Sequence, residues 1–367
     1  MSIVEPEPIS TRTTHHQRLA KSSLEGRGSE NVELVSAARA MAPRSRRVSL
    51  GRSTLGLDRF ALLYAGIGLG IFFALTDPTR FATANNLRLV AASEAITGII
   101  ALGVVTALLA GMFDISVAAN MSLAITLVAW LQSQLHVNPV LAVALTLMSG
   151  VVIGVFNALV ITRFRVDPII ATLGSGSIIT AVSFWIAQGD TIVSGISPRF
   201  DEFGSAKLLT VPVPVYYLAG IALLLWYLLE HNATGRFMYA TGGNVNAARL
   251  AGLKVTRLQW IALILCGLLA SLAGVVLTMQ TGAASFGAGQ SYLLPAFAVA
   301  FLGATQVRPG RFNVAGTLIA LYALAVGVKG LELQYPSVPW IDDLFEGVAL
   351  ILAVGIGARA RLRRIRQ

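Results

Sequence analysis

The sequence predicts an all-α polytopic membrane protein with about ten transmembrane helices and both termini in the cytoplasm. Three observations lead to this prediction. Of the 367 residues, 55% are hydrophobic and 13% are charged, and the mean hydropathy is +0.71, whereas soluble domains carry roughly 25% charged residues. The apolar residues form ten runs, each near the ~20 residues that a helix needs to cross the hydrocarbon. The basic residues concentrate in alternate loops, as the positive-inside rule requires.

The ten apolar segments define one transmembrane domain, residues 60–358. Their approximate bounds are 60–76, 91–111, 117–135, 140–161, 168–188, 212–229, 258–280, 291–307, 313–330 and 340–358. The first and the eighth are short, so we expect a broken helix, or one that crosses only part of the membrane, at these two places.

Basic stretches flank this domain. Residues 1–59 are rich in Arg, Ser, Glu and Thr and hold no apolar run of signal-peptide length, so we interpret them as a disordered basic cytoplasmic tail. Residues 359–367 form a second basic cytoplasmic tail. The simplest role of the arginines just before the first segment is to hold the N-terminus inside, and contact with anionic membrane lipid is the alternative.

The loop charges set the expected orientation. The loops assigned to the cytoplasm carry Arg163, Arg165, Arg236, Arg249, Lys254, Arg257, Arg308 and Arg311. The outer loops carry Arg80, Arg88, Arg199 and Lys207. The excess of basic residues therefore lies inside, and an odd number of spans would remove this agreement.

Small residues recur four positions apart within the apolar segments. The pairs are Gly66 with Gly70, Gly150 with Gly154, Gly267 with Ser271, and Ala270 with Gly274. This spacing lets helix backbones approach closely and predicts a packed bundle. A weak internal echo also relates Phe113-Asp-Ile115 to Phe312-Asn-Val314, at an offset of about 200, which would suit a five-plus-five repeat.

Polar residues within or beside these segments are the candidates for chemistry, because a carboxylate at the bilayer centre costs ~2.5–3.5 kcal/mol on insertion scales. Glu94 lies in the second segment and Glu346 near the start of the tenth. Asp114 and Ser116 lie in the turn between the second and third segments. This turn is either part of a path or hinge, or a capped turn in which Asp114 or Ser116 starts the third helix.

The fifth segment has a predicted helix N-terminus and a stretch of glycine and serine residues in its interior. Asp167 followed by Pro168 predicts a helix N-terminus, with Asp167 as the cap. Gly174-Ser-Gly-Ser177 lies inside the same helix. This polar stretch would either line an aqueous route for hydroxyl-rich solutes or permit tight packing.

The segment from about 233 to 257 is polar and basic and lies between two long apolar runs. Asn244 is a candidate helix cap, and Gly252 is a candidate for the left-handed residue that ends that helix. A helix of about two turns is unstable alone in water. We therefore interpret it as a short helix that depends on a partner, or else as an ordinary connecting loop.

The sequence lacks the residue patterns that are typical of several function classes. The sequence contains no G-x-x-x-x-G-K-[ST] motif, so no P-loop nucleotide site is predicted. No cluster of metal ligands and no Ser-His-Asp nucleophile pattern occurs, so we expect no metal, no cofactor and no enzymatic activity. We also expect no nucleic-acid partner. The single cysteine, Cys266, excludes an intrachain disulfide and is interpreted as a small buried hydrophobe.

Four stretches resemble one known family, the membrane permease subunits of ATP-binding-cassette importers for ribose and related monosaccharides. They are residues 110–117, residues 154–160 with 167–174, residues 234–252, and residues 302–317. The third is the strongest match, with Thr234-Gly-Arg followed by Tyr-Ala-Thr-Gly-Gly-Asn244 and Ala-Ala-Arg-Leu-Ala-Gly252. Met112 and Ala304 replace glycines of the family pattern. The resemblance covers residue 60 to the end.

The resemblance implies a transport subunit in the bacterial inner membrane with a defined set of partners. These are a separate ATPase subunit, an extracytoplasmic sugar-binding protein and a second permease chain, identical or related. It implies that the ATPase is coupled through Gly242, Gly243, Asn244, Ala247, Ala248, Arg249 and Gly252. The small side chains of this helix are expected to lie against the ATPase. Residues expected to line or gate the path are Asp114, Ser116, Asn157, Thr172 and Gly174.

Two other interpretations stay open on the sequence. One is an ion-coupled secondary transporter of small polar solutes that uses Glu94 and Glu346. The sequence shows no dense line of membrane carboxylates to support it. The other is a membrane scaffold that moves no solute. Dependence of uptake on ATP or on a proton gradient would separate the first from the importer.

Overall fold

The computed structural model describes residues 57–338 and 340–365, and of residues 57, 58, 353 and 356–365 it describes the backbone alone. Most of the predicted tail 1–59 lies outside the described residues. Within the described ranges the chain folds into thirteen α-helices. They are α1 Leu57–Thr76, α2 Ala84–Leu109, α3 Val117–Ser133, α4 Pro139–Arg163, α5 Pro168–Ala187, α6 Pro198–Ser205, α7 Val213–Trp226, α8 Ala233–Gly243, α9 Val245–Leu250, α10 Val255–Thr281, α11 Leu293–Gly303, α12 Val314–Gln334 and α13 Ile341–Ile365.

The connections contain three further elements. A π-helical turn, Tyr227–His231, extends α7, and a 3-10 turn, Ala288–Tyr292, precedes α11. Strands β1 (Lys207–Leu208) and β2 (Val211–Pro212) pair antiparallel between α6 and α7.

Every one of the ten predicted segments is helical, so the all-α polytopic fold is confirmed. Seven helices of the described chain are long and apolar enough to cross a membrane: α1, α2, α4, α5, α7 with its π-helical turn, α10 and α12. The prediction of a short eighth segment is confirmed, whereas that of a short first segment is wrong, because α1 is long and apolar enough to cross. At 11 residues α11 is about 16 Å long and spans roughly half of the ~30 Å hydrocarbon.

Three elements differ from the expectation. Residues 198–205 form α6 inside a predicted outer loop, because Ser197 and Pro198 start a helix whose Gly204 packs against the backbone of Met279 on α10. Residues 233–243 form α8, a helix that the sequence did not predict ahead of Asn244. The last helix continues past the predicted boundary at 358 to Ile365.

Helix α10 lies at the centre of the bundle, in contact with α2, α3 and α4. The predicted small-residue pairs produce this packing. A Cβ atom on Gly150 would lie 2.5 Å from the carbonyl oxygen of Gly267, and one on Gly154 would lie 2.6 Å from that of Leu263. Contacts this short leave no room for a side chain, so glycine sets the distance between α4 and α10.

Buried hydrogen bonds also hold α10 in place. The Asn120 amide of α3 donates to the carbonyl oxygen of Gly267 at 2.9 Å and accepts from the Ser271 hydroxyl at 3.0 Å. Asn120 and Ser271 are both fully buried. Polar groups so placed need their partners, because no water replaces a lost bond.

We therefore expect Ser271→Ala to lower the stability of the folded protein by about 1–3 kcal/mol, because it leaves the Asn120 carbonyl oxygen buried without its donor. A thermal unfolding curve in detergent measures the change. Ser177→Ala is the matched control, since the Ser177 hydroxyl is exposed and donates only to Leu173 of its own helix. Equal melting temperatures for the two variants would contradict the structural role of this bond.

The outer helices present large apolar side chains to their surroundings. Exposed examples on α4 and α5 include Val140, Met148, Val152, Ile170 and Trp185. A surface of this kind is stable in lipid or against another apolar chain rather than in water.

The internal echo joins the break between the second and third segments to that between the eighth and ninth. That is a step of six segments, whereas a five-plus-five repeat requires five. The echo therefore does not support a five-plus-five repeat, which remains an untested prediction.

Candidate functional site

Four of the five predicted path residues meet at the break between α2 and α3. The Asp114 carboxylate accepts hydrogen bonds from the Ser116 backbone N–H at 3.0 Å and from the Ser116 hydroxyl at 2.5 Å. The Asn157 amide of α4 donates to the Ser116 hydroxyl oxygen at 2.8 Å. The Thr172 hydroxyl of α5 accepts from the Ile115 N–H at 3.2 Å. The break is therefore tied to two further helices.

This cluster is packed inside the protein. Asp114 is 3% exposed, and Ser116, Asn157 and Thr172 are buried at least as completely. The N-cap position of α3 is Ser116, whose side chain binds no N–H of the helix, and the Asp114 carboxylate accepts from the backbone N–H of Ser116 itself. Gly174 lies apart from the cluster. It is on an exposed face of α5, where an added Cβ would have no neighbour within 4 Å.

The segment predicted to be a partner-dependent helix consists of α8 and α9. Asn244 separates them in an extended conformation (φ −159°, ψ 104°), and its side chain accepts from the Ala247 N–H at 3.0 Å. Gly252 follows α9 with φ +80°. The predicted cap and the predicted left-handed glycine are both present, because these residue types satisfy the two ends of a very short helix.

The small side chains of α9 are expected to face outward toward the ATPase, and the structure agrees only in part. Gly243, Asn244, Ala247, Arg249 and Gly252 are exposed. Ala248 is only 4% exposed and faces this chain instead.

The most exposed apolar side chain of α9 is Leu250, at 91%, and sequence reasoning missed it. The available signal was a single leucine in a basic, Ala-rich stretch. Phe237 on α8 and Gly252, Lys254 and Arg257, which follow α9 in the chain, line a groove of about 330 Å³. The surface formed by Leu250, Phe237, Arg249, Lys254 and Arg257 is called the α9 face below.

Helix α8 connects the α9 face to the break that holds Asp114. Gly242 lies directly against the carbonyl oxygen of Leu109, the last residue of α2. A Cβ atom placed on Gly111 would lie 3.5 Å from the Cα of Gly242. Gly111 has φ +76°, which glycine tolerates without strain. Two residues separate Gly111 from Asp114, so α8 contacts the chain immediately before the break.

Helix α8 and the preceding turn also contact the loop between α11 and α12. The Tyr239 hydroxyl donates to the carbonyl oxygen of Phe312 at 2.7 Å, and the Arg311 guanidinium lies 4.4 Å from the centre of the Tyr239 ring. Arg308 pairs with Glu230 at 3.0 Å. Burial, and then the charge of Glu230, raise the pKa of Tyr239 to about 12, so this hydroxyl remains a donor at physiological pH.

A cavity of about 520 Å³ lies toward the opposite end of the bundle. Glu94 on α2, Tyr292 at the end of the 3-10 turn and Glu346 on α13 line it. Along α2, Glu94 is 15 residues from Leu109, or about 22 Å at 1.5 Å per residue. The two glutamates singled out in the sequence therefore share one site, far from the α9 face.

Comparison with known proteins decides the family. The family described as branched-chain amino acid transport system / permease component matches residues 86–354. The chain belongs to this family. The ribose import permease protein of Escherichia coli strain K12 is 33% identical over 278 residues, covering 75% of this chain and 86% of that protein. The ribose import permease protein of Bacillus subtilis strain 168 is 35% identical over 287 residues, covering 78% and 88%.

A third relative is more extensively aligned. The autoinducer 2 import system permease protein of Yersinia enterocolitica is 30% identical over 310 residues, covering 83% of this chain and 91% of that protein. This chain is thus a permease component of a membrane transport system and a multi-pass protein of the bacterial inner membrane. The resemblance of the four motif stretches is confirmed. The family match includes the Asp114 break, α8, α9 and both cavity glutamates.

Proposed function

We propose that this permease forms the translocation path of an ATP-binding-cassette importer for a monosaccharide or similar polyol. The names of its relatives, which include permeases for ribose, D-allose and autoinducer 2, support a hydroxyl-rich solute. In this proposal the chain itself catalyses no reaction, and a separate ATPase subunit supplies the energy.

The observation that carries the proposal is the position of α8. It links the exposed α9 face to both loops that interrupt the helical bundle: the break at Asp114 and the α11–α12 loop at Phe312. A partner that moves α9 would therefore displace the ends of α2 and α12 together. That is the coupling an importer needs if its motor is a separate chain.

The α9 face suits a soluble protein partner. Leu250 and Phe237 are exposed apolar groups, and Phe237 is 44% exposed. Arg249, Lys254 and Arg257 surround them with positive charge. An apolar centre with a charged rim is the usual composition of a protein interface, and the basic rim fits an acidic groove on the ATPase.

The remaining partners follow from the importer proposal. An extracytoplasmic solute-binding protein would deliver the solute at the end of the bundle opposite α9. A second permease chain, identical or related, would cover part of the exposed apolar surface of the outer helices, and membrane lipid would cover the rest.

Replacement of Leu250 by Glu tests the docking role. We expect Leu250→Glu to lower ATP-driven uptake by more than about tenfold, because a buried apolar contact at an interface is worth ~2 kcal/mol or more. The measurement is solute uptake into proteoliposomes that contain this chain, its ATPase and its binding protein. Binding of the ATPase to the purified variant should fall in parallel.

Leu209→Glu is the matched control. Leu209 is 84% exposed, and it lies between β1 and β2, far from α9. Full uptake by the Leu250→Glu variant, or equal loss in both variants, would refute docking at the α9 face.

An ion-coupled transporter is the second candidate, because Glu94 and Glu346 line one cavity. Uptake that follows a proton gradient in vesicles without ATP would support it over the importer. A complete system that moves none of the tested sugars would favour the scaffold interpretation.

A further inference from the structure

The cavity beside Glu94 has the size and position of a solute site. Its volume of about 520 Å³ falls in the range of roughly 300–1,000 Å³ that small-molecule sites occupy. It is lined by six elements: α2, α3, the end of α10, the 3-10 turn before α11, α11 itself and α13. Helix movements that change the spacing of these elements would change access to it.

The lining of the cavity matches a hydroxylated solute. Glu94 and Glu346 offer carboxylate oxygens that accept hydrogen bonds from hydroxyl groups. Thr97 and Ser291 add hydroxyl groups of their own, and Tyr292 adds an aromatic ring. Apolar atoms of Ile125 and Leu277 complete the wall. A sugar presents the same mixture of hydroxyl groups and C–H faces.

The charge of the cavity disfavours solutes that carry a negative charge. Among the described residues that line it, two are carboxylates and none is Lys or Arg. Glu332 adds a further negative field at Glu94, and the nearby Lys329 is bound to Glu332 at 2.7 Å. A phosphate or carboxylate on the solute would face this negative field without a basic partner.

We propose that this cavity is the solute site of the permease and that it accepts a polyhydroxylated solute carrying no negative charge. Glu94 and Glu346 bind its hydroxyl groups from opposite helices, and Tyr292 covers one face. Sugar phosphates and sugar acids are rejected. The assignment rests on the proposed function as a sugar permease, and it adds the site and the charge class of the solute.

A cysteine placed in the cavity tests both the location of the solute site and the charge class of the solute. Ser291 is exposed, lies on the cavity wall and differs from Cys by one atom, while the native Cys266 is fully buried. In the purified full-length Ser291→Cys variant at pH 9, we expect the ratio of the reaction rate of a cationic methanethiosulfonate to that of an anionic one to exceed the same ratio for a cysteine at Ser194 by about tenfold or more, because of the two carboxylates. In Ser291→Cys with Glu94→Gln and Glu346→Gln the preference should disappear.

Protection by solutes completes the test. The probes are ribose, which is neutral, glucosamine, which is cationic, and ribose 5-phosphate, which is anionic. We expect ribose and glucosamine to slow the modification of Ser291→Cys, and ribose 5-phosphate to leave its rate unchanged. A cysteine at Ser194, exposed in the loop before α6, should show no protection by any probe.

Two results would overturn the proposal. One is an equal ratio of cationic to anionic reaction rates at positions 291 and 194. The other is protection at Ser291→Cys by ribose 5-phosphate, or by none of the three probes. The experiment uses neither ATP nor a partner chain, so its failure is distinct from a failure of ATP-driven uptake.

Discussion

Alanine in place of Gly154 is expected to leave little folded protein. The new Cβ atom would lie 2.6 Å from the carbonyl oxygen of Leu263 and 2.7 Å from the Cα of Ile264, both of them backbone atoms of α10. Backbone atoms of a central helix move only with the whole helix, and α10 also contacts α2 and α3. We expect a loss of stability of about 3 kcal/mol or more, at the upper end of overpacking costs. The measurements are the yield of monodisperse protein and its melting temperature.

Gly220→Ala is the matched control for this substitution. Gly220 also lies inside a predicted transmembrane helix, α7, but an added Cβ there has no neighbour within 4 Å. Both variants gain the same preference of Ala over Gly for the helical conformation. A Gly154→Ala protein as stable as Gly220→Ala would show that α4 and α10 do not pack at the observed distance.

Alanine in place of Gly242 is expected to uncouple transport from ATP hydrolysis. The new Cβ atom would collide with the carbonyl oxygen of Leu109, so α8 would have to move away from the end of α2. A displacement that costs about 1–3 kcal/mol corresponds to a loss of roughly ten- to a hundredfold in the coupled rate. We expect uptake by the assembled importer to fall by this factor, while its ATPase activity continues. Both rates are measured in the same proteoliposomes.

The neighbouring glycine provides the control. Gly243→Ala changes the same residue type one position later, in the last turn of α8, and its Cβ would have no neighbour within 4 Å. Gly243→Ala should therefore leave α8 against Leu109 and transport faster than Gly242→Ala. Transport by Gly242→Ala at the same rate as Gly243→Ala would rule out the contact with Leu109 as the route of coupling.

Much of the local structure of residues 233–257 was predictable from residue type. Asn244 and Gly252 mark the ends of α9, because capping and a left-handed φ depend on the local chain alone. The inward position of Ala248 and the exposure of Leu250 were not predictable. A helix of six residues has no long apolar stripe, so the packing of its neighbours sets its rotation.

The polar residues form two separate sites in the structure, and sequence reasoning did not distinguish them. Asp114, Ser116, Asn157 and Thr172 form a buried junction, whereas the cavity lies beside Glu94, 15 residues before the last residue of α2. These residues are distant in sequence, and no periodic pattern records which of them face each other. Tyr292 was missed for the same reason, since an isolated Tyr in an apolar run has no distinctive spacing.

The sequence by itself determined the all-α membrane fold, the positions of the helical segments, the presence of small-residue packing faces and the family. These depend on hydrophobic length, on small residues at fixed spacing and on local motifs, all of which are properties of short stretches. Only the tertiary structure decided that α8 contacts both the break at Asp114 and the α11–α12 loop, that Ala248 faces inward and that Glu94 and Glu346 share one cavity. These are contacts between residues up to about 250 positions apart, and they depend on how whole helices pack in three dimensions.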